Sequence, residues 1–355
     1  MNRHTLSAIA IWAGLVASGA AQTTPAPTPP PAAAAATEPG YPVVRIGVLS
    51  YLQYDAELKN RDGFNSFDVT RAYLNVNAQV AKNVRFRLTP DIRRVNDGSL
   101  AGSLVVRVKY AFAQFDDITP RGWIRLGAHQ TPWLDFEESI NRYRVQGQMF
   151  AEREGLIPGS SDFGASYFTP LPGGHGEVHA GVFNGEGFGQ PEANKYKSVQ
   201  ARLTVRPFPT AGVASGLRIA GFYNAGWYAA GRPRRLGIVM ASFEHPRLAA
   251  TLERVEATEN ATTATIPDVD RRGWSVFVEP RQGAAGLAGL LRYDAFDPDT
   301  SSPDSAQNRI IGGGACWFVW PRARLGFVVS GERVRFDSRT RPGEGRLLVQ
   351  THVEF

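Results

Sequence analysis

Alternation with a period of two runs almost unbroken from residue 43 to Phe355, and it dictates strands rather than helices. In the last segment Leu347, Val349, Thr351, Val353 and Phe355 share one face, and Arg346, Leu348, Gln350, His352 and Glu354 share the other. Residues 198–206 and 71–79 repeat the pattern, with Val199, Ala201, Leu203 and Val205, then Ala72, Leu74, Val76 and Ala78, on the apolar face. Alternation alone suits a soluble sandwich as well as a barrel, so the connections must decide.

Sixteen strands are expected, at 43–54, 66–79, 83–93, 104–116, 122–130, 161–170, 175–184, 195–206, 216–227, 234–244, 246–256, 271–279, 284–295, 307–318, 322–333 and 344–355. Connections after even-numbered strands are short, such as 171–174, 245–246 and 280–283. Those after odd-numbered strands are mostly long and polar: 55–65, 94–103, 131–160, 257–270, 297–306 and 334–343. Short turns alternating with long loops are the signature of a barrel crossing the bacterial outer membrane. An even strand count also lets the last strand meet the first and removes the open edges. The expected fold class is all-β: a transmembrane antiparallel β-barrel of about sixteen strands.

Three segments organise the chain. Residues 1–21 carry Arg3, His4, an apolar run from Leu6 to Ala17 and small residues at 19–21, which reads as a signal peptide. Residues 22–40 form a Pro/Ala-rich linker, and 41–355 form the barrel domain. After residue 21 no run of eighteen apolar residues offers a membrane helix. The mean hydropathy of −0.23 is no objection to a membrane location, because a barrel strand is apolar only at alternate positions. One cysteine, Cys316, excludes an intrachain disulfide. The chain ends on Phe355, which matches a C-terminal signal for the outer-membrane assembly machinery, and aromatic residues near the turns (Trp123, Phe208, Trp317, Phe318, Trp320) suit an interface girdle.

If the aliphatic set faces lipid, the opposite set lines the lumen. That set holds Arg45, Arg71, Arg85, Arg87, Arg107, Lys109, Arg125, Arg202, Arg206, Arg218, Arg235, Arg292, Arg322, Arg324 and Arg346, against Asp91, Glu253, Asp294, Glu332 and Glu354. A charge facing lipid at mid-depth costs about 2–4 kcal/mol, so arginines have reason to face water. A narrow pore lined by one sign of charge enriches the opposite ion. The expected pore-lining, anion-binding residues are Arg71, Arg85, Arg87, Arg107, Lys109, Arg125, Arg202 and Arg218.

The connection 131–160 is long and carries Trp133, Phe136, Ile140, Met149 and Phe150, so it should pack against something. Folding into the barrel mouth as a constriction is the functional reading; an external lid or subunit contact is the other. A helix is expected over 135–147, with Asp135, Glu137 and Glu138 in its first turn and Arg142 and Arg144 later. Glu137, Glu138, Arg142, Arg144 and Arg153 are the expected constriction residues.

The runs RLGAHQTPWLDFEESINRYR, MFAEREGLIPGSSDFGASY and HAGVFNGEGFG, with the opening VVRIGVLSYLQYD and FDVTRAYLNVNAQVAKNVRFRLTPD, resemble the phosphate-selective porin O and P family. The matching features are Gly127 to Trp133, Glu152-Arg153, Ser161 to Gly164 and Ala180 to Gly185, and the likeness is best over 41–206. The resemblance implies a sixteen-stranded trimeric barrel with inward-folded loops and a basic pore for phosphate or other small anions. It also implies a homotrimer in the bacterial outer membrane, in contact with its lipid and lipopolysaccharide.

Two other classes compete. A barrel enzyme would need a nucleophile, a histidine and an orienting group near one rim. None of His129, His175, His179, His245 or His352 follows such a pattern, and no metal-ligand cluster or cofactor motif is seen. A barrel with a plugged lumen, serving as an anchor or adhesin, is the third reading. A sixteen-stranded lumen is too wide to fill with side chains alone, so that reading depends on residues 131–160. Nucleic acid is excluded by the absence of a stacking motif or a helix reader.

Overall fold

The computed structural model describes residues 40–59, 63–95, 98–229, 232–259 and 268–355. The expected signal peptide, and the linker up to residue 39, lie outside the described residues. The strands are β1 (Val43–Lys59), β2 (Asn65–Ala81), β3 (Val84–Arg94), β4 (Leu104–Asp116), β5 (Trp123–Gln130), β6 (Ser161–Pro170), β7 (Gly176–Phe183) and β8 (Ser198–Val205). They continue with β9 (Leu217–Ala229), β10 (Arg232–His245), β11 (Leu248–Glu259), β12 (Val269–Pro280), β13 (Gly286–Asp297), β14 (Gln307–Trp320), β15 (Ala323–Phe336) and β16 (Glu344–Glu354). Each pairs with its neighbours in sequence, and β1 pairs antiparallel with β16, which closes the sheet. Sixteen strands in the expected order result. Beside the expected bounds, β1 runs on to Lys59 and β8 starts only at Ser198.

The pleat sorts the side chains. On the outward face Ile46, Phe67 and Val106 stay 70 %, 85 % and 72 % exposed, which is tolerable only against hydrocarbon. The register carries the inward face round the wall: Tyr51 opposite Arg71, Arg87 opposite Phe112, His179 opposite Arg202.

On β10 the expectation that aliphatic residues face lipid fails. Leu236, Ile238 and Met240 point inward, each 1 % exposed, and Arg235 is exposed on the outward face. The reason lies in the lumen. These side chains join Phe222, Val255, Ala257 and Phe296 in one apolar cluster with Trp133, Leu134, Phe136, Ile140, Met149 and Phe150 of the long connection. The connection thus lies inside the barrel against β9–β13. Arg234, the neighbour of Arg235, points in and donates to the Leu156 carbonyl at 2.9 Å and to Glu259 at 3.1 Å.

The connection is not one helix over 135–147. It forms α1 (Pro132–Ile140), a 3₁₀ turn at Tyr143–Val145 and α2 (Phe150–Arg153). Proline at the first turn lets α1 begin earlier than its charges suggest. Asn141 ends it: its backbone is extended and its side-chain oxygen accepts the Tyr143 N–H at 2.9 Å, a local bond that competes with helix continuation. Arg142 and Arg144 therefore lie past the helix end, and the expected dipole match does not form.

Gly273 on β12 makes room for the loop. A Cβ there would come within 2.8 Å of the Phe150 ring and 2.6 Å of the Ala295 carbonyl. Gly273→Val should displace Phe150 at a cost of about 1–3 kcal/mol, despite valine's higher strand propensity. The refolded barrel should show a lower urea midpoint and faster proteolysis within 131–160. An unchanged midpoint and digestion pattern would show that the loop is not seated there.

Candidate functional site

Two hollows open from the two ends of the lumen. At the long-loop end, about 730 Å³ is lined by Asp68, Arg93, Arg94, Arg107, Lys109, Arg153, Arg309 and Arg346 among others. At the short-turn end, about 630 Å³ is lined by Leu49, Tyr73, Arg87, Tyr110, Glu138, Arg142, Arg281, Arg324 and Glu354 among others. Tyr51, Arg71 and Arg144 line both. The constriction therefore lies between the β1–β4 wall and the 3₁₀ turn of the loop.

On the wall, cations stand on aromatic rings. The Arg71 guanidinium carbon is 5.0 Å from the Tyr51 ring centre and 4.8 Å from that of Tyr73. Lys109 Nζ lies 5.3 Å from the Tyr73 ring and 5.0 Å from that of Phe188. Arg87 covers Tyr110 at 4.5 Å, and Arg107 covers Phe188 at 4.4 Å. Alternation puts Tyr51, Arg71, Tyr73, Arg87, Arg107 and Lys109 on the inward face; Tyr110 joins Lys109 there only through the β-bulge opposite Thr89 and Pro90, and Phe188 comes from the β7–β8 connection.

On the loop, Arg144 takes two carboxylates, Glu138 at 3.0 Å and Glu152 at 2.6 Å. Arg142 pairs with Glu279 of β12 and donates to the Ala284 carbonyl at 2.8 Å. Arg153 reaches Asp294 of β13 at 3.3 Å, and burial together with nearby Arg292 brings its guanidinium down to about 9. Arg292 donates to the Gln148 carbonyl at 3.1 Å, and Gln350 to the Val145 carbonyl at 2.6 Å. These contacts fix the loop backbone from the wall side.

Of the expected pore residues, Arg71, Arg87, Arg107 and Lys109 line the two hollows and Arg85, Arg125, Arg202 and Arg218 do not. Arg85 pairs with Asp116, and Arg218 with Glu244 at 2.5 Å. Arg125 lies on the Trp123 ring at 4.0 Å, with Asp135 of α1 at 3.9 Å. Arg202 is buried, donating to the Pro132 carbonyl at 2.9 Å and pairing with Glu177 at 2.8 Å, so it clamps the start of α1. The partners Asp116, Glu177 and Glu244 lie at or near strand ends, where assigning a face from the sequence alone is weakest. Of the constriction residues, Glu138, Arg142, Arg144 and Arg153 line a hollow, while Glu137 turns into the wall. Arg93, which shares the face of Arg85 and Arg87, was legible by alternation and not singled out. Arg309 and Arg281 needed the register.

His129 and His179 both reach Ser166 Oγ, at 2.7 Å and 3.2 Å. Both rings are fully buried and Ser166 is 3 % exposed, so this cluster ties β5, β6 and β7 together out of reach of any substrate.

Glu137 accepts from Trp133 Nε1 at 3.0 Å and lies against Glu253 of β11, beside Arg292 and Asp294. Burial raises its carboxyl to about 7, against the opposing pull of Arg292. A carboxyl raised in the folded state stabilises docking below the ordinary carboxylate range, and that contribution is lost as pH rises through the raised value of the Glu137–Glu253 pair. The loop should thus resist protease better at pH 5 than at pH 9, and Glu137→Gln should flatten this dependence. Equal protection at both values in the unaltered protein would rule out a proton held at this contact.

No family model matches the chain, and no curated protein resembles it in sequence. Solved structures do share its fold. An anion-selective porin from Comamonas acidovorans superposes with a TM-score of 0.63 at 12 % identity, over 88 % of this chain and all (100 %) of that one. OmpT, an outer membrane protein of Vibrio cholerae in its trimer form, gives 0.59 at 12 %, over 88 % and 99 %. Salmonella typhi OmpF in complex with daunomycin gives 0.61 at 11 %, over 88 % and 97 %. The chain is a closed sixteen-stranded barrel with the fold of these outer-membrane porins.

Proposed function

We propose that this barrel is a passive, anion-selective diffusion channel, with phosphate among the small anions it passes. One observation carries the reading. Among the described residues no carboxylate is ion-paired with Arg71 or Lys109, although most other lumen arginines are paired. Unpaired cations at the narrowest point set the sign of the local field, and paired ones largely cancel. The motif likeness to the phosphate-selective porins supports phosphate as the first anion to try. The fold shared with an anion-selective porin is compatible with it.

A homotrimer fits the motif likeness, and the Vibrio cholerae protein of the same fold is described in a trimer form. Contact with lipopolysaccharide and recognition of Phe355 by the assembly machinery belong to the same proposal. Phe355 is 61 % exposed, its main chain held by Val48 of β1. No chemical step is assigned to the protein.

The test is the reversal potential of the full-length protein in a planar bilayer under a KCl gradient. Chloride preference is expected. Arg71→Glu with Arg87→Glu should lower the anion-to-cation permeability ratio about tenfold. Arg85→Glu, away from the constriction, should change it far less. Equal effects of the two would take the selectivity away from the constriction. Absence of channels from a correctly folded barrel would favour the anchoring reading.

A further inference from the structure

We propose that the constriction contains a discrete site for a monocarboxylate with a flat apolar body, built from Arg71, Lys109 and Tyr73. The inference rests on the anion-channel reading and narrows it to a substrate class.

Three groups converge on one ring. Arg71 and Lys109 both lie against Tyr73, at 4.8 Å and 5.3 Å from its centre. Lys109 is 3 % exposed and Tyr73 5 % exposed. The Tyr73 hydroxyl is buried and has no hydrogen-bond partner. A buried donor without an acceptor is unfavourable and marks a place where an acceptor belongs. With an ammonium and a guanidinium alongside, the missing acceptor is an anion.

Charge selects its sign. The loop's Arg144 is shared by Glu138 and Glu152, so that group keeps one negative charge. Arg71 and Lys109 together bring two positive charges without paired carboxylates. With Arg87 a further cation without a paired carboxylate on the same hollow, the constriction stays net positive and takes an anion.

Shape selects the body. A guanidinium stacked on a ring has its faces covered and its N–H edge free, and that edge matches the two oxygens of a carboxylate. Tyr73, Tyr110 and Phe112 form an apolar cluster on the wall, and Leu49 packs both on it and on the cluster that holds Tyr143 and Val145 of the loop. Tyr73, Tyr110 and Leu49 line the hollow immediately below Arg71. A flat ring trailing from the carboxylate meets aromatic faces there, where a small hydrated anion gains nothing.

The experiment records currents through the full-length protein in KCl while sodium benzoate, sodium acetate or inorganic phosphate is added. Benzoate should interrupt the current at a roughly tenfold lower concentration than either of the others. Tyr73→Phe and Lys109→Gln should each weaken the benzoate effect several-fold. Phosphate acting at the lowest concentration would overturn the choice of a carboxylate with an apolar body. Acetate matching benzoate would overturn the flat body, and benzoate acting equally on both variants would overturn the site. In those three cases an anion-selective reversal potential leaves the channel reading standing. A cation-selective one sinks both.

Discussion

In hydrocarbon a sheet has no acceptable edge, because an unpaired N–H or C=O finds no water there. The pairing of β1 with β16, from Leu49 opposite Glu354 to Lys59 opposite Gly345, removes that edge. The rest of the structure follows from it. Closure at sixteen strands makes a lumen too wide for side chains to fill. The space is then divided between solvent and chain. Residues 131–160 take one side, packing Trp133, Phe136 and Phe150 on inward-facing Leu236, Ile238 and Val255. The β1–β4 wall opposite keeps its polar face.

That division explains where charge survives. A charge buried without a partner is expensive, and the side of the lumen beneath the loop is accordingly dense in pairs: Arg202 with Glu177, Arg234 with Glu259, Arg292 with Asp294. The loop also brings Glu138 and Glu152 to the constriction, where they could have neutralised the wall. Arg144 takes both, at 3.0 Å and 2.6 Å. A cation on the loop thereby keeps both carboxylates out of ion pairs with the wall cations and halves their negative charge. Counting arginines over the whole lumen misses this.

The strand pattern was legible because a membrane barrel repeats one rule, apolar outside at every second residue, and its turns and loops differ in length. The rule broke on β10, where Leu236, Ile238 and Met240 face in and Arg235 faces out. Period two gives two faces but does not say which is which when the lumen itself is apolar. That depends on where a loop about a hundred residues earlier folds back. The same limit applied to the site. Arg71, Arg87, Arg107 and Lys109 share the inward face by alternation, and the structure places them along the two hollows. Separating them from Arg125, Arg202 and Arg218 required knowing which residues the loop covers. The break in the expected helix at Asn141 was a local signal, a side-chain acceptor able to take the N–H two residues on.

The means of holding the wall cations bears on what the pore can do. A carboxylate would fix an arginine firmly but cancel its charge, as Asp116 does for Arg85. An aromatic face fixes the same side chain through its quadrupole and leaves the net charge intact. Arg71 on Tyr51 and Tyr73 is held in this second way, and Arg87 on Tyr110 likewise, with neutral hydrogen bonds to Asn75 and Thr89 that also leave its charge intact. Arg107 combines both, lying on Phe188 at 4.4 Å and pairing with Asp91 at 3.2 Å at the outer approach. From the outer hollow inward, positioning passes from carboxylates to rings. The share of wall charge without a carboxylate partner then rises toward the constriction, although the arginines along the wall are similar in kind. In this barrel the aromatic residues of the inner wall decide how much of the charge resting on them stays uncancelled.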